Sequence, residues 1–403
     1  MLRRVFKAFH YRDFRLLWFG ACTSSIGTWM QSVAQSWLVL TISGSAFLLG
    51  LDGFLGQIPI VLFSLIGGVI ADRIDRRRVL LGSQYVQMTC AFVLTVLLLL
   101  RLLDHRVWPI LCLSFVVGCA QSFGGPAYSA LVPSLVEKED LPNAIALNSI
   151  QFNLARVIGP MLGGLALTGL GAAWCFGLNG LSFVAVIISL LLLQVKFAPQ
   201  NTGDSILTGV KQGIGFIRRQ GAMEGLIVLA FCMTALAIPM LTFLPVFAKD
   251  VFHGGPTAFT ILLSCSGAGS VAGALIVAAF GNVSRKGLVA LVMLMLLGCG
   301  MAAFALSRSL VLSCVILFLS GAALMATFSM ISSLVQLITA NEMRGRVMSV
   351  YNVAFRGGMP LGSIVTGYLV PIYSAPRVLA VNGILLVALA AYFLVAQRRV
   401  AAL

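Results

Sequence analysis

Residues 68–78 read Gly68-Val69-Ile70-Ala71-Asp72-Arg73-Ile74-Asp75-Arg76-Arg77-Arg78, a dense charged segment in an otherwise apolar chain. Upstream, residues 46–71 carry one charge, Asp52, and downstream residues 79–100 carry none. A run of about 20 apolar residues is what an α-helix needs to cross a ~30 Å hydrocarbon layer. The segment therefore reads as a tight connection between two membrane spans.

Working outward from it, the same pattern repeats over the whole chain. Twelve apolar runs lie between polar breaks, at about 14–41, 46–71, 78–103, 107–133, 142–169, 173–195, 224–248, 256–281, 287–307, 310–335, 347–370 and 377–396. Composition agrees: of 403 residues, 60% are hydrophobic and 10% charged, with mean hydropathy +1.02. Soluble domains sit near 45–50% apolar and about 25% charged, so that class is excluded. The opening MLRRVFKAFHYRDFR is followed by an apolar run too long for a signal peptide, and it reads as the lead into the first span.

The charge balance is 27 Lys+Arg against 12 Asp+Glu, for a net +15. In a soluble protein this would point to nucleic acid, but basic residues gather in the cytoplasmic connections of membrane proteins. The basic residues here alternate in that manner. Arg3, Arg4, Lys7, Arg12, Arg15, Arg73, Arg76, Arg77, Arg78, Lys138, Lys196, Lys211, Arg218, Arg219, Arg285, Lys286, Arg344, Arg346, Arg398 and Arg399 fall on one side, against Arg101, Arg106, Lys249, Arg308 and Arg377 on the other. Both termini are accordingly expected in the cytoplasm, with membrane lipid and no nucleic acid as partner.

The longest polar connection, 196–223, divides the spans six and six. It contains Asn-Thr-Gly-Asp-Ser at 201–205, then a basic amphipathic stretch expected to lie on the cytoplasmic surface. The expected organisation is an N-terminal half, 1–195, this linker, and a C-terminal half, 224–403. Arg156-Val-Ile-Gly159-Pro160 and Arg356-Gly-Gly-Met-Pro360 echo one another across the halves, as in transporters built from repeats.

Enzyme motifs are missing: there is no phosphate-binding loop, nucleophile elbow or zinc-protease pair. Gly267-Ala-Gly269-Ser-Val-Ala272 imitates a dinucleotide fingerprint, but lies inside a span, where Gly269 and Gly273 suit close helix packing. Nine cysteines, all in apolar stretches without a CxxC pair or a nearby His, argue against metal or disulfide roles. Neither an enzyme, a metal site nor a bound cofactor is expected.

Polar residues inside spans are costly and tend to be functional. In span one, Ser24, Thr28, Gln31 and Gln35 form one helical stripe, and in span four Ser114, Gly118, Gln121, Gly125 and Tyr128 form another. Ser329, Ser332 and Gln336 in span ten are a weaker set. Asp52 is the only carboxylate well within a span and is a candidate proton carrier; hydration near the membrane edge is the alternative reading. Arg156 and Arg356 lie within spans, where they can meet an anionic substrate, pair with Asp52 or helix carbonyls, or snorkel to the cytoplasmic face.

These motifs carry a resemblance. Residues 68–78 closely resemble the cytoplasmic signature of the major facilitator superfamily, G-x-x-x-D-R-x-G-x-R-R, with Gly68, Asp72, Arg73, Arg77 and Arg78 in place and Asp75 standing for its glycine. Arg156, Gly159, Pro160, Gly163 and Gly164 resemble the antiporter signature of its exporters, with Ala146 and Ala155 replacing two upstream glycines. With Gly125-Pro-Ala-Tyr128 through Leu141-Pro-Asn-Ala-Ile-Ala-Leu-Asn148, and Arg344-Gly-Arg346-Val-Met-Ser349, the chain is identified as a member of the bacterial proton-coupled exporter branch that includes the enterobactin exporter and macrolide efflux proteins. The superfamily's span-four arginine is missing from Phe115-Val-Val-Gly-Cys-Ala-Gln121, so a proton relay built on it does not carry over.

The resemblance implies an all-α membrane protein of twelve transmembrane helices in two pseudo-symmetric six-helix halves. The expected activity is export of small amphipathic molecules, siderophore or drug, from the cytoplasm across the bacterial inner membrane by proton antiport, working as a monomer. It also implies that Asp72 works in a conformational-switch loop, and that Thr28, Gln31, Gln35, Gln121, Tyr128 and Arg356 line a central cavity. An importer or lipid translocase of the same fold is the alternative; a membrane-embedded enzyme or receptor is a more distant one.

Overall fold

In the computed structural model, twelve helices of 20 residues or more account for most of the described residues, which are 6–103, 106–194, 206–279 and 285–403. They are α1 Arg12–Ser43, α2 Ala46–Arg73, α3 Arg76–Leu99, α4 Trp108–Leu131, α5 Leu141–Gly169, α6 Ala172–Leu191, α7 Gly221–Thr242, α8 Pro256–Ala279, α9 Lys286–Leu306, α10 Leu310–Leu337, α11 Arg344–Tyr373 and α12 Ala375–Val395. No strand occurs among the described residues.

Ten of these helical stretches are apolar and long enough to cross a membrane. The exceptions are α1 and α11. At 32 and 30 residues they are among the longest helices, and at a rise of about 1.5 Å per residue their length exceeds the membrane's apolar thickness of about 30 Å. They differ from the expected apolar spans because polar residues interrupt them: Ser24, Ser25, Thr28, Gln31, Ser32 and Gln35 in α1, and Asn352, Arg356 and Ser363 in α11. Elsewhere apolar side chains face outward, with Leu165, Leu275, Leu306, Val311 and Val395 between 65% and 76% exposed. Water would penalise such a belt, whereas lipid does not.

The chain forms two compact units, Met1–Ser43 with Ile58–Gly203, and Gly44–Gln57 with Asp204–Leu403. In the first, α1 packs on α5 and α6, and α3 packs on α4 and α6. In the second, the corresponding helices six places later pair in the same way: α7 with α11 and α12, and α9 with α10 and α12. The halves are therefore pseudo-symmetric in packing. Phe14, Leu17, Trp18, Leu131, Leu147, Phe183 and Leu190 form the apolar heart of the first unit, where the Trp18 indole donates to the Leu147 carbonyl at 2.9 Å.

The expected halves assign all of span two to the N-terminal side, but the first turns of α2 pack within the second unit. A Cβ on Gly50 would meet the Ser363 carbonyl oxygen at 2.5 Å and Gly367 Cα at 2.9 Å, so only glycine allows this approach. Further along α2, a Cβ on Gly67 would stand 3.2 Å from Phe123 Cα in the first unit. Pro59 lies between the two contacts, where it removes one helix hydrogen bond.

The amphipathic stretch of the linker forms the short helix Ile206–Arg219. Gly213 and Ile217 are buried, and a Cβ on Gly213 would lie 2.8 Å from the Arg346 carbonyl oxygen at the start of α11. Lys211, Arg218 and Arg219 are exposed. Residues 196–205 of the linker lie outside the described residues.

Candidate functional site

The charged segment begins at Gly68, inside the C-terminal part of α2, where a Cβ would meet nothing within 4 Å. The backbone of Asp72 lies in the last turn of α2, and its side chain lies outside the described residues. Asp75 caps α3: its Oδ1 accepts from the Arg77 backbone N–H at 2.9 Å. Aspartate is a favoured N-cap, which accounts for its standing where the signature has glycine.

The arginines that follow reach the ends of other helices. Arg76 Nη1 donates to the Ala130 carbonyl at 2.8 Å, in the last turn of α4. Arg77 donates to Leu191 at 2.6 Å and Leu193 at 3.1 Å, where α6 ends. Terminal carbonyls lack helical donors and carry the negative end of the helix dipole, so a guanidinium satisfies both needs. Arg78 pairs with Asp75 at 3.7 Å but is 82% exposed, and contributes little. Arg73 is exposed as well. The charged connection is thus a set of caps binding α3, α4 and α6 into one unit.

In α5 the glycines of the second motif are contact points with α1. A Cβ on Gly159 would collide with Trp29 and lie 2.9 Å from the Ile26 carbonyl oxygen; one on Gly163 would lie 2.9 Å from the Met30 carbonyl oxygen. Pro160 and Gly164 are buried beside them. Arg156 is half-buried and Arg356, in the matching place on α11, is exposed. Neither guanidinium has a hydrogen-bond or ion-pair partner among the described residues.

The polar stripes resolve into two networks inside the first unit. Gln35 Nε2 donates to Ser114 Oγ at 2.8 Å, and Asn179 Nδ2 donates to Gln31 Oε1 at 2.6 Å. Tyr128 donates to Asn148 Oδ1 at 3.2 Å and Gln151 Oε1 at 3.3 Å, while Gln151 Nε2 reaches Ser25 Oγ at 2.9 Å. Spans one and four are thereby joined to each other and to α5 and α6. Thr28 is exposed but donates to the Ser24 carbonyl of its own helix at 2.9 Å. Gln121 is exposed. Asn148, Gln151 and Asn179 join these networks without any mark in the sequence, since isolated amides give no periodic signal.

In the second unit an open recess of about 430 Å³ is lined by Phe328, Ser329, Ser332, Gln336, Leu337 and Arg344. It gathers the weaker span-ten set around a cation. Asp52 also belongs to this unit and is 8% exposed.

A further polar cluster has no counterpart in the sequence motifs. Lys7 pairs with Asp140 Oδ1 at 2.7 Å, Tyr11 donates to Asp140 Oδ2 at 2.9 Å, and the Ala8 N–H donates to Asn143 Oδ1 at 2.9 Å. These bonds tie the segment before α1 to the start of α5. The hydrogen bond to Asp140 pushes the Tyr11 phenol up to about 12 and raises Lys7. The partners are separated by 129 residues for the Tyr11 bond and 135 for the Ala8 bond, beyond any local pattern.

Comparison with known proteins agrees with this architecture. The family model described as transmembrane secretion effector matches residues 5–402. Macrolide efflux protein A of Streptococcus pyogenes is 23% identical over 282 residues, 68% of each chain. The enterobactin exporter EntS of Shigella boydii is 28% identical over 345 residues, 84% of this chain and 77% of that protein. A crystal structure of a POT family transporter in complex with thioalcohol conjugated peptide superposes with a TM-score of 0.78 at 12% identity, covering 96% of both chains, and attests the fold. The family is one of transporters rather than enzymes, and the chain, a multi-span membrane protein, belongs to the transmembrane secretion effectors of the major facilitator superfamily.

Proposed function

We propose that the protein exports small amphipathic molecules, a siderophore or a drug, from the cytoplasm by alternating access driven by proton entry. It acts in the bacterial inner membrane as a monomer, with both termini cytoplasmic, and α1 and α11 complete the twelve spans. The observation that carries this reading is the character of those two helices. Each is long enough to span, yet each exposes a polar side chain, Thr28 on α1 and Arg356 on α11, that lipid would desolvate. Such faces belong beside water or a polar ligand.

Thr28 and Gln121 are exposed polar groups of the N-terminal unit, and Arg356 and the serine recess are polar features of the C-terminal unit. In each unit such groups suit a ligand bearing electron-rich or anionic oxygens on an apolar frame. Siderophore-like molecules are therefore favoured over cationic drugs. Gln31, Gln35 and Tyr128, bonded within the unit, hold the helices in register. Asp52, a buried carboxylate within a span, is the proposed proton carrier.

A bacterial strain lacking the gene, compared with one overexpressing it, tests the substrate class. The expected outcome is greater siderophore secretion on overexpression, with smaller changes in macrolide resistance. Unchanged secretion and unchanged resistance in both strains would overturn the assignment.

A further inference from the structure

The contact between α8 and α10 has a single register. A Cβ on Gly269 would collide with the Phe318 backbone, one on Gly273 with Ala322, and one on Gly321 with Ser266. Ser270 Oγ also donates to the Gly321 carbonyl at 3.2 Å. The first two contacts share an offset of 49 residues, as expected for two parallel helices in close contact. One turn earlier on each helix the same offset sets Cys265 against Cys314. The two thiols are near enough to interact electrostatically. Both are partly exposed and free.

We propose that Cys265 and Cys314 form a dithiol site that small disulfide oxidants close reversibly, cross-linking α8 to α10. The thiolate of one cysteine attacks the oxidant's S–S bond, expelling one thiol and leaving a mixed disulfide. The second thiolate then displaces the remaining half, so two electrons and two protons pass to the oxidant, which leaves as two thiols. Backbones already in contact one turn away favour the short Cα separation that a disulfide requires. Spacing alone gives the nine cysteines no pairing role, because the partners are far apart in sequence and meet only through the glycine register. With the orientation proposed above, which this point rests on, the pair lies in the half of the membrane facing the oxidising compartment.

The test uses the purified full chain with the other seven cysteines replaced by alanine, treated with the membrane-permeant disulfide 4,4′-dithiodipyridine and digested for mass spectrometry. The expected product is a linked peptide pair joining Cys265 to Cys314 with no retained pyridyl group, returned to free thiols by dithiothreitol. Cys265→Ser or Cys314→Ser should instead leave the surviving thiol as a stable pyridyl adduct. Two separate adducts on the dithiol protein, or no reaction at either thiol, would overturn the proposal. If the seven-alanine protein does not fold, the same peptide pair is sought in the oxidised wild-type chain, and its absence there equally overturns the proposal. Because the readout involves no transport, its failure is distinct from failure of the export assignment.

Discussion

Arg77 shows how one side chain can serve a motif and a fold together. It bridges two carbonyls at the end of α6, Leu191 and Leu193, from the start of α3. Charge-assisted bonds of this kind contribute about 1.5–3 kcal/mol when buried, and the partial exposure here brings the expected loss on Arg77→Ala down to about 1 kcal/mol. Thermal melting in detergent should show that loss. Arg77→Lys should recover only part of it, since an ammonium is a point charge and cannot span both oxygens. Tyr11 supplies a pH test. Its folded pKa of about 12 exceeds the unfolded value near 10. The bond to Asp140 therefore stabilises fully below about pH 10 and is lost as pH rises through 12. Lys7 shifts in the same direction. The melting temperature of Tyr11→Phe should lie below wild type at neutral pH, and the gap should narrow between pH 10 and 12. A gap that stays constant over that window would show that the phenol proton is not what matters.

At the scale of the element, glycine positions separate packing from motion. A Cβ on Gly159 would collide with Trp29, whereas one on Gly68 would enter open space. Gly159→Ala should therefore cost about 1–3 kcal/mol, the usual penalty for overpacking, read as lower yield and melting temperature. Gly68→Ala should leave both nearly unchanged, so any loss of transport in that variant reports on conformational change rather than folding. Helix positions are largely legible in the sequence, because an apolar run of membrane length leaves little choice: the pattern places span five at 142–169, and α5 occupies Leu141–Gly169. The linker helix is legible from its amphipathic period. The side-chain networks are not. Gln31 meets Asn179 and Tyr128 meets Gln151 through tertiary packing, and nothing near either residue in sequence announces its partner. The stripes on spans one and four are visible, but not that several of their members are satisfied inside one unit.

At the scale of the molecule, the two units repeat one packing scheme while their polar groups differ. The N-terminal unit uses its amides to bond α1 to α4 and α6, whereas the C-terminal unit presents serines and Arg344 around an open recess. Asp52 lies in the short part of α2 that packs with the second unit, a placement that a division at the linker does not anticipate. The central claim is proton-driven export. Its most direct measurement is uptake of labelled enterobactin and of a labelled macrolide into everted membrane vesicles containing the protein, with respiration acidifying the interior. Proton-driven export predicts uptake of at least one of the two that exceeds vesicles without the protein, and that collapses to their level when a protonophore is added. Uptake that persists undiminished after the gradient is abolished, or no uptake above control for either compound, would contradict it.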